Sequence, residues 1–351
     1  MRLGSHMRLA TFQPQLGVHC ETTTLRNMLH HAGAGISEAM LFGLGQGIDF
    51  QYWDAPDPGR GTPMLTGRIE PALLSRNACA ALGATLRESR SPDPESASAA
   101  ATELLAAGHV VGVSVDIFHL DYFSSRSHFA SHYIAVYGLD DSFAHVVDTD
   151  QQGGAQTLPT QSLRRARASD EGFMPSPHLH LYVEKLPERL TTDTDAVLRE
   201  QIWNAIRLTA QRMTEDRGPR FGLRAMRRAA SEIAGWSDTL ASPDETVPGV
   251  GRFWRFAGTG GANFRKLYRA FLLEARRRYD DPELDPFVKD FGAVQRQWDQ
   301  AIDLLMAYRD ADDGRRQLEA VASLLHSIAD AEKAAFERLL VSAAKRAGEP
   351  A

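Results

Sequence analysis

The sequence predicts an α+β domain followed by an all-α domain, and three observations carry that expectation. A helical stretch headed by a cysteine comes first. A β-branched run at 109–117 and strand-like runs at 132–139 and 143–148 come next, the last two separated by the turn residues Asp140-Asp141-Ser142. From Thr191 onward the apolar residues recur at helical spacing. A helix followed by a meandering antiparallel sheet is an α+β arrangement. The expected division is 8–190 and 191–351. Residues 1–7 stand apart, because Gly4-Ser5-His6-Met7 reads as an expression-vector remnant before the natural start.

Composition narrows the function classes. The chain has 351 residues, enough for two domains of about 100–200 residues each. Hydrophobic content of 43% and charged content of 24% are those of a soluble globular protein. No apolar run approaches the roughly 18 residues of a membrane helix, so no membrane partner is expected. A net charge of −6 argues against a general nucleic-acid binder. The start lacks the apolar segment of a signal peptide, and Cys20 and Cys79 are the two cysteines, so free thiols in the cytoplasm are expected. Ten of the twelve histidines lie between His19 and His180, which directs the search for chemistry to the first half.

Each element has its own signal. Leu25, Met28 and Leu29 mark one face of a helix opening near Cys20, and Gly33 and Gly35 end it. The glycine-rich segment 41–53 reads as a loop of close backbone packing, lining a cleft with Tyr52 and Trp53. It lacks the Lys-Ser/Thr of a phosphate loop. A Pro/Gly-rich loop spans 54–67, a helix about 69–82 with Cys79 on its apolar face, and a polar connection 89–98. A helix follows at about 95–107, and the near-continuous β-branched run 109–117 reads as a central buried strand. Residues 132–139 and 143–148 form an antiparallel pair. Residues 159–168 form a short helix with Arg164, Arg165 and Arg167 as a solvated face, and 178–184 a last strand. About five helices fill the remainder, with a break at 242–251 and a Gly258-Thr259-Gly260-Gly261 stretch before a helix. That stretch reads either as an anion-binding helix start or as a glycine turn capped by Thr259.

A thiol at a helix N-terminus feels the positive end of the helix dipole, which favours the thiolate nucleophile. Such a thiolate needs a base and the base an orienter. His132, opening one strand, is the candidate base. Asp148, closing the next strand, is the candidate orienter, and the turn between the strands brings the two level at one sheet edge. Alternatives stay open: a buried core cysteine, a structural histidine, a strand-end aspartate. The backbone N–H of Cys20, with a side-chain amide of Gln13 or Gln15, is the candidate oxyanion hole. His119 and Tyr122 lie in a loop after the central strand that suits substrate contact. His128 and His132 are four apart, as helical zinc ligands would be, but a strand follows His132, so no metal site is expected.

The order of Cys20 on a helix, His132 on a strand and Asp148 on the next resembles papain-like (C39-type) cysteine peptidases. More closely, the chain resembles the butirosin biosynthesis protein H family. The matching stretches are His19-Cys20-Glu21-Thr22, Asn27 to Gly33, Leu41 to Gly47 and His132 to Gly138. The C-terminal part, with Gly258 to Arg265, resembles the helical domain often appended to that family. The resemblance implies a papain-like fold and acyl transfer from a carrier-protein thioester to a small-molecule amine. The sequence carries no cofactor motif, which fits that chemistry because a thioester is already activated, so no cofactor is expected. One departure is that the position six before the cysteine, glutamine in papain-like peptidases, is Pro14 here, flanked by Gln13 and Gln15.

Three functions follow as expectations. The first is a cysteine acyltransferase or amide synthase of natural-product biosynthesis, taking its acyl group from an acyl carrier protein or other thioester donor. The second is a hydrolase on the same triad, whether peptidase, amidase or thioesterase. The third is a catalytically inert binding module. Shielding the cleft, docking a carrier and forming a homodimer are all open roles for the helical domain.

Overall fold

The computed structural model describes residues 7–54, 63–124, 127–309 and 313–347. The elements in chain order are β1 (Met7–Arg8), α1 (Cys20–His31), α2 (Glu38–Leu44), β2 (Ile48–Trp53), β3 (Met64–Arg68), α3 (Leu73–Leu82), β4 (Thr85–Arg90), α4 (Pro94–Ala106), β5 (Val111–Val115), β6 (His132–Leu139), β7 (Phe143–Val147), β8 (Ala155–Pro159), α5 (Thr160–Ala168) and β9 (Leu179–Lys185). Helices follow: α6 (Glu188–Thr192), α7 (Thr194–Thr214), α8 (Gly222–Ile233), α9 (Trp236–Thr239), α10 (Pro243–Phe256), α11 (Arg265–Arg278), α12 (Asp285–Ala307) and α13 (Gly314–Ala347). This is the α+β arrangement followed by helices. Two compact units divide it, one of 1–41 and 71–198, the other of 42–70 and 199–351.

The first unit is built on an antiparallel sheet in the order β4-β9-β5-β6-β7-β8, with β1 also pairing with β6. One face buries Val111, Val113, Val115, Ile134, Val136 and Val146 against Ala101 and Leu105 of α4 and Leu163 and Ala166 of α5. Strand side chains alternate between faces, so Gly112 points the other way, toward α1. A Cβ there would stand 2.9 Å from Thr24 Cγ2, so glycine lets α1 lie against the sheet. Glu21 of α1 is buried, and its Oε1 accepts from Ser75 N (3.0 Å) and Ser75 Oγ (2.9 Å) at the start of α3. A buried carboxylate there meets orphan helix donors and the positive dipole end.

The second unit wraps helices around the β2–β3 ribbon. Phe50 and Leu65 of the ribbon join Met226, Trp254, Trp298 and Leu318 in one core. Trp254 Nε1 donates to Leu65 O (3.1 Å). Arg265 and Glu332 form a fully buried bidentate pair (Nε–Oε1 2.7 Å, Nη2–Oε2 2.9 Å), and Trp298 Nε1 also donates to Glu332. Arg265 Nη1 reaches the carbonyls of Asp49 (3.1 Å) and Gly67 (3.3 Å), tying the ribbon to this unit.

That tie corrects the expected single boundary at 190. Segment 42–70 groups with the helical unit because the aromatic ribbon and Arg265 bind it there. The glycine-rich segment is the end of α2, a short turn and the whole of β2 rather than one loop. Close packing explains its glycines, since a Cβ on Gly43 would stand 2.1 Å from the Phe271 ring. Of the loop expected at 54–67, residues 55–62 lie outside the described residues and 64–67 belong to β3. The break expected at 242–251 is instead the body of α10. Pro243 occupies its first turn, where no hydrogen bond is lost, while Pro248 is accommodated inside. Arg167 is buried, not solvated; its Nη1 donates to Ala97 O (2.9 Å), and burial lowers its pKa to about 10. The Gly258–Gly261 stretch is a turn in which Thr259 Oγ1 donates to Trp254 O (2.8 Å) and accepts from Gly261 N (3.0 Å). Residues 1–6 of the expected remnant lie outside the described residues.

Candidate active site

Cys20 is the first residue of α1, and three contacts fix the chain leading into it. Asn27, about two turns into the helix from Cys20, holds Gln15 at both backbone groups: Gln15 N donates to Oδ1 (2.9 Å) and Nδ2 donates to Gln15 O (2.8 Å). Glu38 accepts from Val18 N (2.9 Å), His19 N (2.9 Å) and Thr22 Oγ1 (2.8 Å). Gly17 gives its carbonyl to Asp150 N (2.9 Å). A Cβ on Gly17 would stand 2.5 Å from Thr23 Oγ1 and 2.7 Å from Glu38 Oε1, so this position requires glycine. The cysteine loop is therefore pinned to α2 and to the residues just after Asp148.

His132 opens β6, and Asp148 follows directly on β7, as the paired strands dictate. His132 Nε2 lies 2.9 Å from Asp148 Oδ1 and 2.8 Å from Oδ2, with both residues buried. The Cys20 side chain is in hydrogen-bond contact with the same imidazole. With Nε2 given to the carboxylate, Nδ1 is the nitrogen left for sulfur. Burial alone would lower the His132 pKa, but the charges of Asp148 and Cys20 and their hydrogen bonds raise it to about 10. The Cys20 sulfur thus stands between this imidazole and the N-terminus of α1.

Tyr122, expected as a cleft residue, is part of this chain instead. Its hydroxyl donates to Asp148 Oδ2 (2.9 Å), and burial together with the Asp148 charge pushes its pKa well above the ordinary range, so it stays a donor. Asp148 Oδ1 also accepts from Thr149 N (2.6 Å). Phe123 stands edge-on to His132, with ring centroids 5.3 Å apart.

The other expected positions lie as follows. Gln15 Nε2 folds back toward the carbonyls of Gln13 and Pro14, each at 3.3 Å, and Gln13 is exposed. Tyr52 and Trp53 belong to the second unit, where the Tyr52 hydroxyl donates to Glu232 and Arg220 lies over the Trp53 ring at 4.9 Å. His119 ends a 3-10 turn (Ile117–His119) after β5, edge-on to Phe118 at 5.1 Å. Cys79 lies in mid-α3, where burial pushes its thiol up to about 12.

Sequence reasoning missed Glu38, Asn27 and the Tyr122–Asp148 bond. Asn27 and Glu38 carried a faint signal, being polar residues beside apolar helical faces. The Tyr122 bond spans 26 residues and has no local signature. Among the described residues no helix is long and apolar enough to cross a membrane.

Comparison with known families agrees with the architecture. Residues 19–149 match the family described as butirosin biosynthesis protein H, N-terminal, an interval that includes Cys20, His132 and Asp148. Residues 161–339 match the Domain of unknown function (DUF4872). No curated protein matches the chain. The chain belongs to the butirosin biosynthesis protein H family, its N-terminal domain joined to a DUF4872 domain.

Proposed function

We propose that the chain is a cysteine-dependent acyltransferase, or amide synthase, that moves an acyl group from a carrier-protein thioester to an amine in natural-product biosynthesis. The observation that carries the reading is the contact chain Cys20–His132–Asp148, with the sulfur at a helix N-terminus and the histidine held by a buried carboxylate. The family's biosynthetic name supports its direction.

The chemistry runs in two halves. The Cys20 thiolate attacks the thioester carbonyl carbon and forms a new C–S bond. The tetrahedral oxyanion is met by the Cys20 backbone N–H, with the Gln13 or Gln15 amide as second donor after turning from its present position. The bond to the carrier sulfur then breaks, and the His132 imidazolium gives its proton to the leaving thiolate. In the second half the amine attacks the acyl-cysteine, neutral His132 takes the amine proton, and the Cys20 thiolate departs to pair again with imidazolium. Asp148 holds the ring through both halves, and Tyr122 and Thr149 N hold Asp148. A thioester is already activated, so the reaction as written calls on no further cofactor.

Incubation with an acyl thioester of N-acetylcysteamine, with and without a primary amine, tests this. Mass spectrometry should find the acyl group on Cys20 and an amide product when amine is present. Free acid as the sole product would replace transfer by hydrolysis, and no adduct on Cys20 would remove both.

A further inference from the structure

A second cluster of titratable groups stands at the same end of the sheet and plays no part in the chemistry above. Asp116 follows β5 directly, and the last residue of β5, Val115, pairs with His132. The buried Asp116 carboxylate is held on both oxygens. Oδ1 accepts from Phe118 N (3.1 Å) and Phe129 N (2.9 Å), and Oδ2 accepts from Ser169 Oγ (2.7 Å) and His128 Nδ1 (2.6 Å). Three residues on, His119 ends the 3-10 turn. One ligand atom from each of Asp116, His119 and His128 lies within 4.8 Å of the others.

Two imidazoles and one carboxylate are a donor set for first-row divalent ions. In a tetrahedral zinc site with bonds of about 2.0–2.1 Å, neighbouring ligand atoms stand about 3.3 Å apart. Reaching that spacing asks for a small opening between His128 and Asp116 and an inward rotation of the His119 ring, which sits on a short turn.

We propose that Asp116 Oδ2, His119 and His128 Nδ1 form a binding site for a divalent transition-metal ion of the zinc class. The ion replaces the proton between His128 Nδ1 and Asp116. Neutral His128 then takes the tautomer protonated at Nε2, and that N–H faces the Glu171 carboxylate, whose Oε2 lies 3.4 Å away. A ligand histidine whose other nitrogen donates to a carboxylate is the usual way a protein orients such a ring. Phe118 N, Phe129 N and Ser169 meanwhile keep Asp116 aimed. The His128 side chain is 29% exposed, which leaves an entry route from solvent. Three protein ligands leave the fourth position to water. The turn that the ion would fasten leads into Tyr122, the residue that holds Asp148.

Metal analysis tests the site. The full chain is stripped with a chelator, dialysed against Zn²⁺, freed of unbound ion, and assayed for zinc per chain. The wild type and Cys20→Ala should each hold one zinc, and a Tm rise on adding Zn²⁺ should accompany it. His119→Ala and His128→Ala, both at half-buried positions, should lose the zinc and the Tm rise while keeping the wild-type circular dichroism. Glu171→Gln should bind about 10–100-fold more weakly. The proposal is overturned if the wild type retains no zinc or if His119→Ala retains as much as wild type. Loss of zinc in Cys20→Ala would also overturn it, by placing the ion on the thiol. None of these outcomes depends on acyl transfer.

Discussion

Two histidines four residues apart, His128 and His132, each pair with an aspartate, and the pairs differ in what faces the second ring nitrogen. His132 gives Nε2 to Asp148 and turns its other side to Cys20, in a buried setting. His128 gives Nδ1 to Asp116 and has the exposed Glu171 beside Nε2. The pairing itself is the same, so a histidine–carboxylate bond does not by itself make a general base. What distinguishes His132 is the sulfur on its free side and the exclusion of water around it. His128 has carboxylates on both sides, which suits a cation.

The comparison breaks most readily at the two histidines. His132→Ala should lower acyl transfer about 10³-fold, within the range for loss of a general acid–base group, whereas His128→Ala should leave the chelated enzyme within a few-fold of wild type. Comparable losses in both, measured as kcat/KM with the model thioester, would erase the distinction. Asp148→Asn should cost about 10²-fold by the same reasoning, with the protein still folded.

Stability sharpens it further. Gly17→Ala forces a methyl group against Thr23 and Glu38 and should lower stability by about 1–3 kcal/mol in urea unfolding. The pH dependence has a definite sign. His132 has a folded pKa raised from 6.5 to about 10, so the folded state binds its proton more tightly than the unfolded state. The stability this contributes is fully present below pH 6.5 and is lost as pH rises toward 10. The difference in stability between wild type and His132→Gln should therefore shrink across that window. A difference constant from pH 6 to 10 would mean that His132 is not held charged. The smallest effect belongs to Tyr122→Phe, which removes one hydrogen bond to Asp148 worth about 1 kcal/mol and should slow transfer about fivefold.

Much of this arrangement was legible because its signals are local. The run from His132 to Leu139 forms a strand with those bounds, since it is apolar or aromatic almost throughout and buried along its length. Leu25, Met28 and Leu29 mark the buried face of α1, and Gly33 takes the left-handed conformation just past its end. Hairpin geometry alone brought His132 and Asp148 to one edge. Two kinds of feature were not legible. Edge strands β4 and β8 are largely exposed and polar, so they lack the apolar alternation that betrays a strand. Contacts between distant residues, such as Glu38 with the cysteine loop or Arg265 with the β2–β3 ribbon, depend on the finished fold. The ribbon's place in the second unit follows from such contacts, and no composition shift announces it. His119 and His128 likewise meet through the turn after β5, not through sequence spacing.

The central claim is that Cys20 is an activated nucleophile and Cys79 an inert core thiol. Competitive alkylation with iodoacetamide at pH 7, read by peptide mass spectrometry, tests it most directly. Cys20 should label rapidly and Cys79 should not, and His132→Ala should lose the Cys20 label while urea exposes both thiols equally. A native chain in which Cys20 labels no faster than Cys79, or labels equally well without His132, would contradict the account.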